Sequence, residues 1–177
     1  MIGLDVRVSP HELQRLLAVY NVTQPACKRA AQRAVNKCAK WVEGQARRAI
    51  SHELRVAQKV IKGRLRLYIK GDALARKVWL GLNGVAAHKF ARVRVNGRGV
   101  QVAGRQFDGA FVIRRFGGGV YRRTGRERFP LELIKIPIDD VGDLALRQAA
   151  QAAEERLMVL LRQELNYEFQ KILGNAR

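Results

Sequence analysis

Acidic side chains are what this chain most lacks. In 177 residues, 15 Asp and Glu stand against 34 Lys and Arg, leaving a formal charge of +19. Self-repulsion on this scale is tolerated best beside a polyanion or an acidic protein surface. Long apolar runs are missing as well. The longest stretch free of Asp, Glu, Lys and Arg is Leu16–Cys27, 12 residues, whereas a membrane-spanning helix needs about 20. No membrane is therefore expected as a partner. Asp5 and Arg7 interrupt the start, and no apolar segment of signal-peptide type follows them, so the chain is expected to be cytosolic when made.

Cysteine and histidine are scarce, which bears on chemistry. Cys27 and Cys38 lie 11 apart in one helical segment, about 16 Å along its axis, too far for a disulfide. Both fall on the face of Ala31, Ala34 and Val35, so buried small hydrophobes are expected. The three histidines, His11, His52 and His88, sit in separate segments, and no CxxC or HxxxH spacing occurs. Between residues 63 and 130 the acids are Asp72, Asp108 and Glu127 alone, a thin basis for paired-carboxylate catalysis. Gly97-Arg98-Gly99 lacks the third glycine of a phosphate-cradling loop. No catalytic residue, metal site or cofactor is expected, and the chain reads as a non-enzyme.

Apolar residues at 47% and charged residues at 28% are ordinary globular usage, which excludes a disordered tail. Residues 1–62 carry 12 basic and 4 acidic side chains, residues 63–130 carry 16 and 3, and residues 131–177 carry 6 and 8. The first block reads as helical after an extended start at 2–8. Ser9-Pro10 with Glu12 has the pattern of a capping box, and Leu13, Leu16, Leu17 and Tyr20 follow at helical spacing. From Thr23-Gln24-Pro25, apolar residues recur every three or four positions through Ala49.

The middle block holds most of the 16 glycines, and its apolar residues alternate. Strands are expected at 64–70, 77–82, 90–95, 100–102, 110–113 and 131–138, with Asn96-Gly97 marking a type I′ hairpin. Residues 139–177 read as one long helix. The expected fold is a single α+β domain over 1–177: helical to 62, β-rich over 63–138, helical from 139. One antiparallel sheet of five or six strands would pack against the long N- and C-terminal helices.

Arginines are the most informative feature of the middle block: Arg92, Arg94, Arg98, Arg105, Arg114, Arg115, Arg122, Arg123, Arg126 and Arg128. The planar guanidinium suits phosphate or carboxylate pairing. On strand alternation Arg92 and Arg94 would share a face opposite Val93 and Val95. Two partners stay open, DNA and an acidic neighbouring subunit. Phe107, Phe111, Phe116, Tyr121 and Phe129 are too few for a base-stacking surface.

Several segments in order carry a family resemblance: a basic, Ala-rich N-terminal helix, then Val78-Trp79-Leu80-Gly81-Leu82-Asn83 with His88 downstream. Phe107-Asp108-Gly109-Ala110-Phe111, Arg122-Arg123-Thr124-Gly125 and Arg128-Phe129-Pro130-Leu131-Glu132 follow. Over 25–138 the chain resembles the minor tail protein Z family of siphophages and prophages, with Asp108 where proline is commoner and Phe129 where leucine is. The resemblance implies a structural virion protein made in the bacterial host cytoplasm. It would complete the head-proximal end of the tail so that a DNA-filled head joins productively, and no enzymatic activity is implied. Implied partners are further copies of itself in a ring, expected to be a hexamer, neighbouring tail and neck proteins, and the genome end in the channel. Within such a ring, Phe107, Gly109, Ala110, Phe111 and Gly125 become candidates for close subunit packing, because glycine permits close backbone approach. A free-standing, non-specific nucleic-acid-binding protein is the rival reading.

Overall fold

The computed structural model describes residues 2–20, 23–71 and 74–175. In chain order the elements begin β1 (Ile2–Arg7), α1 (Pro10–Tyr20), α2 (Gln24–Leu54), α3 (Gln58–Lys62), β2 (Leu65–Lys70) and β3 (Ala75–Leu80). Next come β4 (Val85–Ala86), a 3-10 turn at Ala87–Lys89, β5 (Arg94–Asn96), β6 (Gly99–Val102), β7 (Arg105–Asp108) and β8 (Ala110–Ile113). A second 3-10 turn at Arg114–Phe116 leads to β9 (Gly119–Arg123), β10 (Leu131–Leu133), β11 (Lys135–Ile136), α4 (Asp139–Gln151) and α5 (Ala153–Asn175). The described chain divides into two compact units. Met1–Ala46, Leu65–Gly81 and Leu144–Arg177 form the first, and Arg47–Arg64 with Leu82–Asp143 form the second.

In the first unit the expected capping box opens α1. The Glu12 amide donates to Ser9 Oγ at 3.2 Å, and the Ser9 amide donates to Glu12 Oε2 at 2.8 Å, so two end groups of the helix are satisfied reciprocally. Helix α2 buries Ala26, Cys27, Ala30, Ala31, Ala34, Val35, Cys38, Ala39, Val42 and Ala46. That face is wide but built of small side chains, which lets neighbouring backbones approach. Cys38 Sγ donates to the Ala153 carbonyl at 3.4 Å, and Asn36 Oδ1 accepts from Arg76 Nε on β3 at 3.5 Å, so α2 touches both α5 and the sheet. That sheet is antiparallel, ordered β1-β3-β2, with Ile2 and Leu65 on opposite sides of Leu80. Val78 and Leu80 are fully buried, each contributing about 1.5–3 kcal/mol by removal from water.

The second unit holds three small antiparallel sheets, ordered β5-β6-β7, β10-β9-β8 and β11-β4. Ile50, Ile61, Val85, Val100, Val120, Ile136 and Ile138 are its innermost side chains. Chain reversal between β6 and β7 uses Ala103 (φ 49°) and Gly104 (φ 78°), both at positive φ as a type I′ turn requires. At the β5–β6 hairpin Gly97 and Arg98 are the two turn residues, and Asn96 Oδ1 accepts from the Arg98 amide at 3.1 Å and the Gly99 amide at 2.9 Å. The Asn96 side chain thus caps the turn from its first position, so a hairpin forms where Asn96-Gly97 indicates one, without the type I′ geometry.

Helices and antiparallel strands are both present, yet the single sheet of five or six strands is not formed. Four small sheets replace it. Reversals at Ala103-Gly104 and at Gly117-Gly118 (φ 70° and 74°) join strands paired as short hairpins, whereas Gly109 (φ 68°) separates β7 from β8, which lie in different sheets. β1 closes the second edge of β3, which completes that sheet from the N-terminus. The strand expected over 131–138 is broken at Ile134. The Ile134 amide donates to the Val120 carbonyl and its own carbonyl accepts from the Ala87 amide, each at 2.9 Å. β10 therefore pairs with β9, whereas β11 pairs with β4.

Two further expectations are corrected. The last helix is interrupted at Ala152, beside the Ala153 carbonyl that accepts the Cys38 thiol; a side chain bonding into the ladder is a known cause of such breaks. The strand expected at 90–95 starts only at Arg94, because Ala87–Lys89 turns as a 3-10 helix and buries Phe90. Arg92 thus lies before the strand, and Val95, 69% exposed, does not face inward.

Candidate functional site

All ten arginines singled out in the sequence belong to the second unit, and all ten are exposed. That unit carries 18 basic and 7 acidic side chains, net +11. Arg94, Arg98 and Arg105 lie on the β5-β6-β7 hairpins, with Arg92 just before them. Arg114 and Arg115 fall in the second 3-10 turn, Arg122 and Arg123 at the end of β9, and Arg126 and Arg128 in the bends that follow.

Two of the ten form ion pairs. Arg98 Nη2 meets Asp108 Oδ2 at 3.1 Å, and Arg122 Nη2 meets Glu132 Oε2 at 3.3 Å across the β9–β10 ladder. Both pairs are exposed and contribute little, about 0–1 kcal/mol. Arg123 sits over the Phe111 ring at 5.7 Å and Arg128 over Phe129 at the same distance. Among the described residues, Arg92, Arg94, Arg105, Arg114, Arg115 and Arg126 make no ion pair. Arg92 and Arg94 line one open cleft of about 320 Å³ with Ala91, Gln101, Ala103 and Gly104; the other eight do not line it.

The candidate packing residues are also in the second unit. Gly109 has φ 68° and its amide donates to the Arg98 carbonyl at 2.9 Å, so its backbone alone favours glycine. Ala110 is buried, whereas Phe107 and Phe111 are half-buried. Gly125 has an ordinary φ and nothing within 4 Å of where a Cβ would stand.

Two groupings escaped the sequence reading. A second cleft, about 440 Å³, is lined by Lys59, Val60, Gly63, Arg64, Val85 and Lys89. In the first unit, Arg29, Arg33 and Lys37 on α2 engage Glu164 and Glu168 on α5, at 2.5–3.2 Å. Burial raises the pKa of both carboxyls, but hydrogen bonds and charge from the cations outweigh it, so both lie below the ordinary carboxylate value. The signal existed in the sequence: three cations four apart and two glutamates four apart can meet along two helix faces.

Both cysteines are buried, as expected, and neither is in a disulfide. Burial raises both thiol pKa values, that of Cys38 to about 11 against the weak opposing charge of Arg156. No helix of the described chain is long and apolar enough to cross a membrane. Among the described residues no group of three or more His, Cys, Asp or Glu could hold a metal.

The exposed arginines on these short hairpins form a strongly basic surface. The family described as prophage minor tail protein Z matches residues 16–175, and the chain belongs to that family. It is a structural protein of a phage tail, and hence a virion component. No curated protein matches it, and no solved structure does.

Proposed function

We propose that this tail protein completes the head-proximal end of the tail and allows a DNA-filled head to join. It acts there as a closed ring, a hexamer matching the six-fold stack of a siphophage tail. The observation that carries this reading beyond the family is the set of exposed arginines without acidic partners on the second unit. Charge left uncompensated within one chain is compensated between chains or by a polyanion. Most of these arginines face acidic surfaces of neighbouring tail and neck proteins, and a minority face the genome end. A ring of identical subunits needs heterologous, head-to-tail contacts. Phe107, Gly109, Ala110, Phe111 and Gly125 are the proposed packing residues.

Electron microscopy of a lysate from phage lacking this protein tests the reading. The expected result is full heads separate from tails, or joined particles that fail to deliver DNA. Normal infectious particles would overturn it and favour a free-standing nucleic-acid-binding protein. Salt separates the two readings: phosphate-driven affinity falls steeply with ionic strength, whereas a virion ring stays in place at fixed copy number.

A further inference from the structure

The cleft of Lys59, Arg64 and Lys89 has a composition that the fold does not require. Its cations come from three places: Lys59 from α3, Arg64 from the residue before β2, and Lys89 from the 3-10 turn before β5. Val60 and Val85 supply its apolar lining, and no carboxylate lines it. Arg64 is half-buried, and one nitrogen of its guanidinium donates to the Gly84 carbonyl at 3.3 Å. That bond anchors the guanidinium while leaving other N–H groups to donate elsewhere. Among the described residues neither lysine makes an ion pair. Three like charges around one cleft repel one another, and a bound anion converts that cost into attraction.

We propose that this cleft binds the sugar-phosphate backbone of DNA, with one phosphate held by Lys59, Arg64 and Lys89. The volume argues for this ligand over an acidic side chain. About 440 Å³ lies in the range that accepts a nucleotide-sized group, and a single Asp or Glu carboxylate would leave most of it empty. Val60, half-buried, offers an apolar face to the C–H side of a deoxyribose, and cations from three elements match a tetrahedral phosphate better than a planar carboxylate. None of the ten arginines above takes part. The inference shares with the proposed function only the premise that DNA reaches this protein.

The test uses the purified full chain and a short fluorescent DNA duplex, with anisotropy measured over a series of potassium chloride concentrations. Lys59→Gln/Lys89→Gln removes two of the three cations around that phosphate. The expected outcome is binding weaker on the order of 10-fold at low salt, with a slope of log affinity against log salt shallower by about 1. Lys59→Arg/Lys89→Arg, which keeps both charges, restores the slope. Circular dichroism confirms that both variants are folded. An unchanged slope in the glutamine variant overturns the proposal. If Arg92→Gln/Arg94→Gln then lowers the slope instead, DNA contact by the arginines stands while the cleft assignment falls. A poly-glutamate peptide that loses affinity for the glutamine variant while the duplex does not would also overturn it, in favour of a carboxylate ligand.

Discussion

Arg33 on α2 grips Glu168 on α5, Nη2 to Oε1 at 2.6 Å, while its Nε reaches Glu164 one turn away at 2.5 Å. Both glutamates are buried, at 6% and 2% exposure. One guanidinium therefore holds two helical turns of α5 against α2, flanked by Arg29 and Lys37. Removing Arg33 leaves two buried carboxylates with one cation each. Arg33→Ala is expected to destabilise the chain by about 1–3 kcal/mol, below the full cost of breaking a buried pair because the arginine is partly solvated. Urea unfolding followed by circular dichroism measures it, and a shift under about 0.5 kcal/mol would show that Arg29 and Lys37 suffice.

The same carboxyls set an acid limit. Their folded pKa values lie below the usual value of 4.5, so their contribution is fully present above pH 4.5 and is lost as the pH falls through the folded values. Glu12, lowered by hydrogen bonds from the Ser9 amide and hydroxyl, has the same sign. Melting temperature should fall as acid titrates these groups. Glu164→Gln/Glu168→Gln should be less stable at pH 7 and should show a flatter profile below 4.5. A double variant with the wild-type acid slope would assign that slope to other groups.

Both thiols should be inert in the folded protein. With the Cys38 pKa near 11, its thiolate at pH 8 is about a hundredfold scarcer than that of a free cysteine, and burial adds a steric barrier for both residues. Labelling with a chromogenic disulfide at pH 8 should be slow in buffer and prompt in guanidinium, with two thiols released. Prompt labelling in buffer would mean that the α2 face opens.

Glycine variants separate local strain from subunit packing. Gly99 has φ 148°, and a Cβ there would clash with the Phe107 carbonyl oxygen, so Gly99→Ala should destabilise by about 2 kcal/mol or more. Gly109→Val is strained in the isolated chain by its φ of 68° and cannot by itself report on assembly. Gly125→Val is the cleaner probe: its surroundings are open, so stability should stay within about 0.5 kcal/mol of wild type. Loss of infectious particles with that variant would place Gly125 in a subunit contact. Full infectivity would remove it from the packing motif.

How much of this was legible depends on the range of the interactions. Helix starts were readable because they are local: Ser9, Pro10 and Glu12 lie within four residues, and the capping box formed. The buried face of α2 was readable because period alone places Ala31, Ala34, Val35 and Cys38 together. Sheet membership was not, because it depends on which strand fills an edge first. Nothing in Ile2–Arg7 announces that it will pair with Ala75–Leu80. The arginines were legible as charge, and their exposure followed. The cleft of Lys59, Arg64 and Lys89 was not, since Lys89 lies 25 residues beyond Arg64 and only folding brings them together.

Ile134 has a consequence for how the second unit comes apart. Ladders of two to four pairs cannot stand alone in water, yet this residue's two backbone bonds fasten one of them to Val120 and another to Ala87. The small sheets it links are thereby made to melt as a unit. Amides at Ile134 and Ala87 should exchange with deuterium at a common slow rate, marking a single cooperative block within an outwardly fragmented fold.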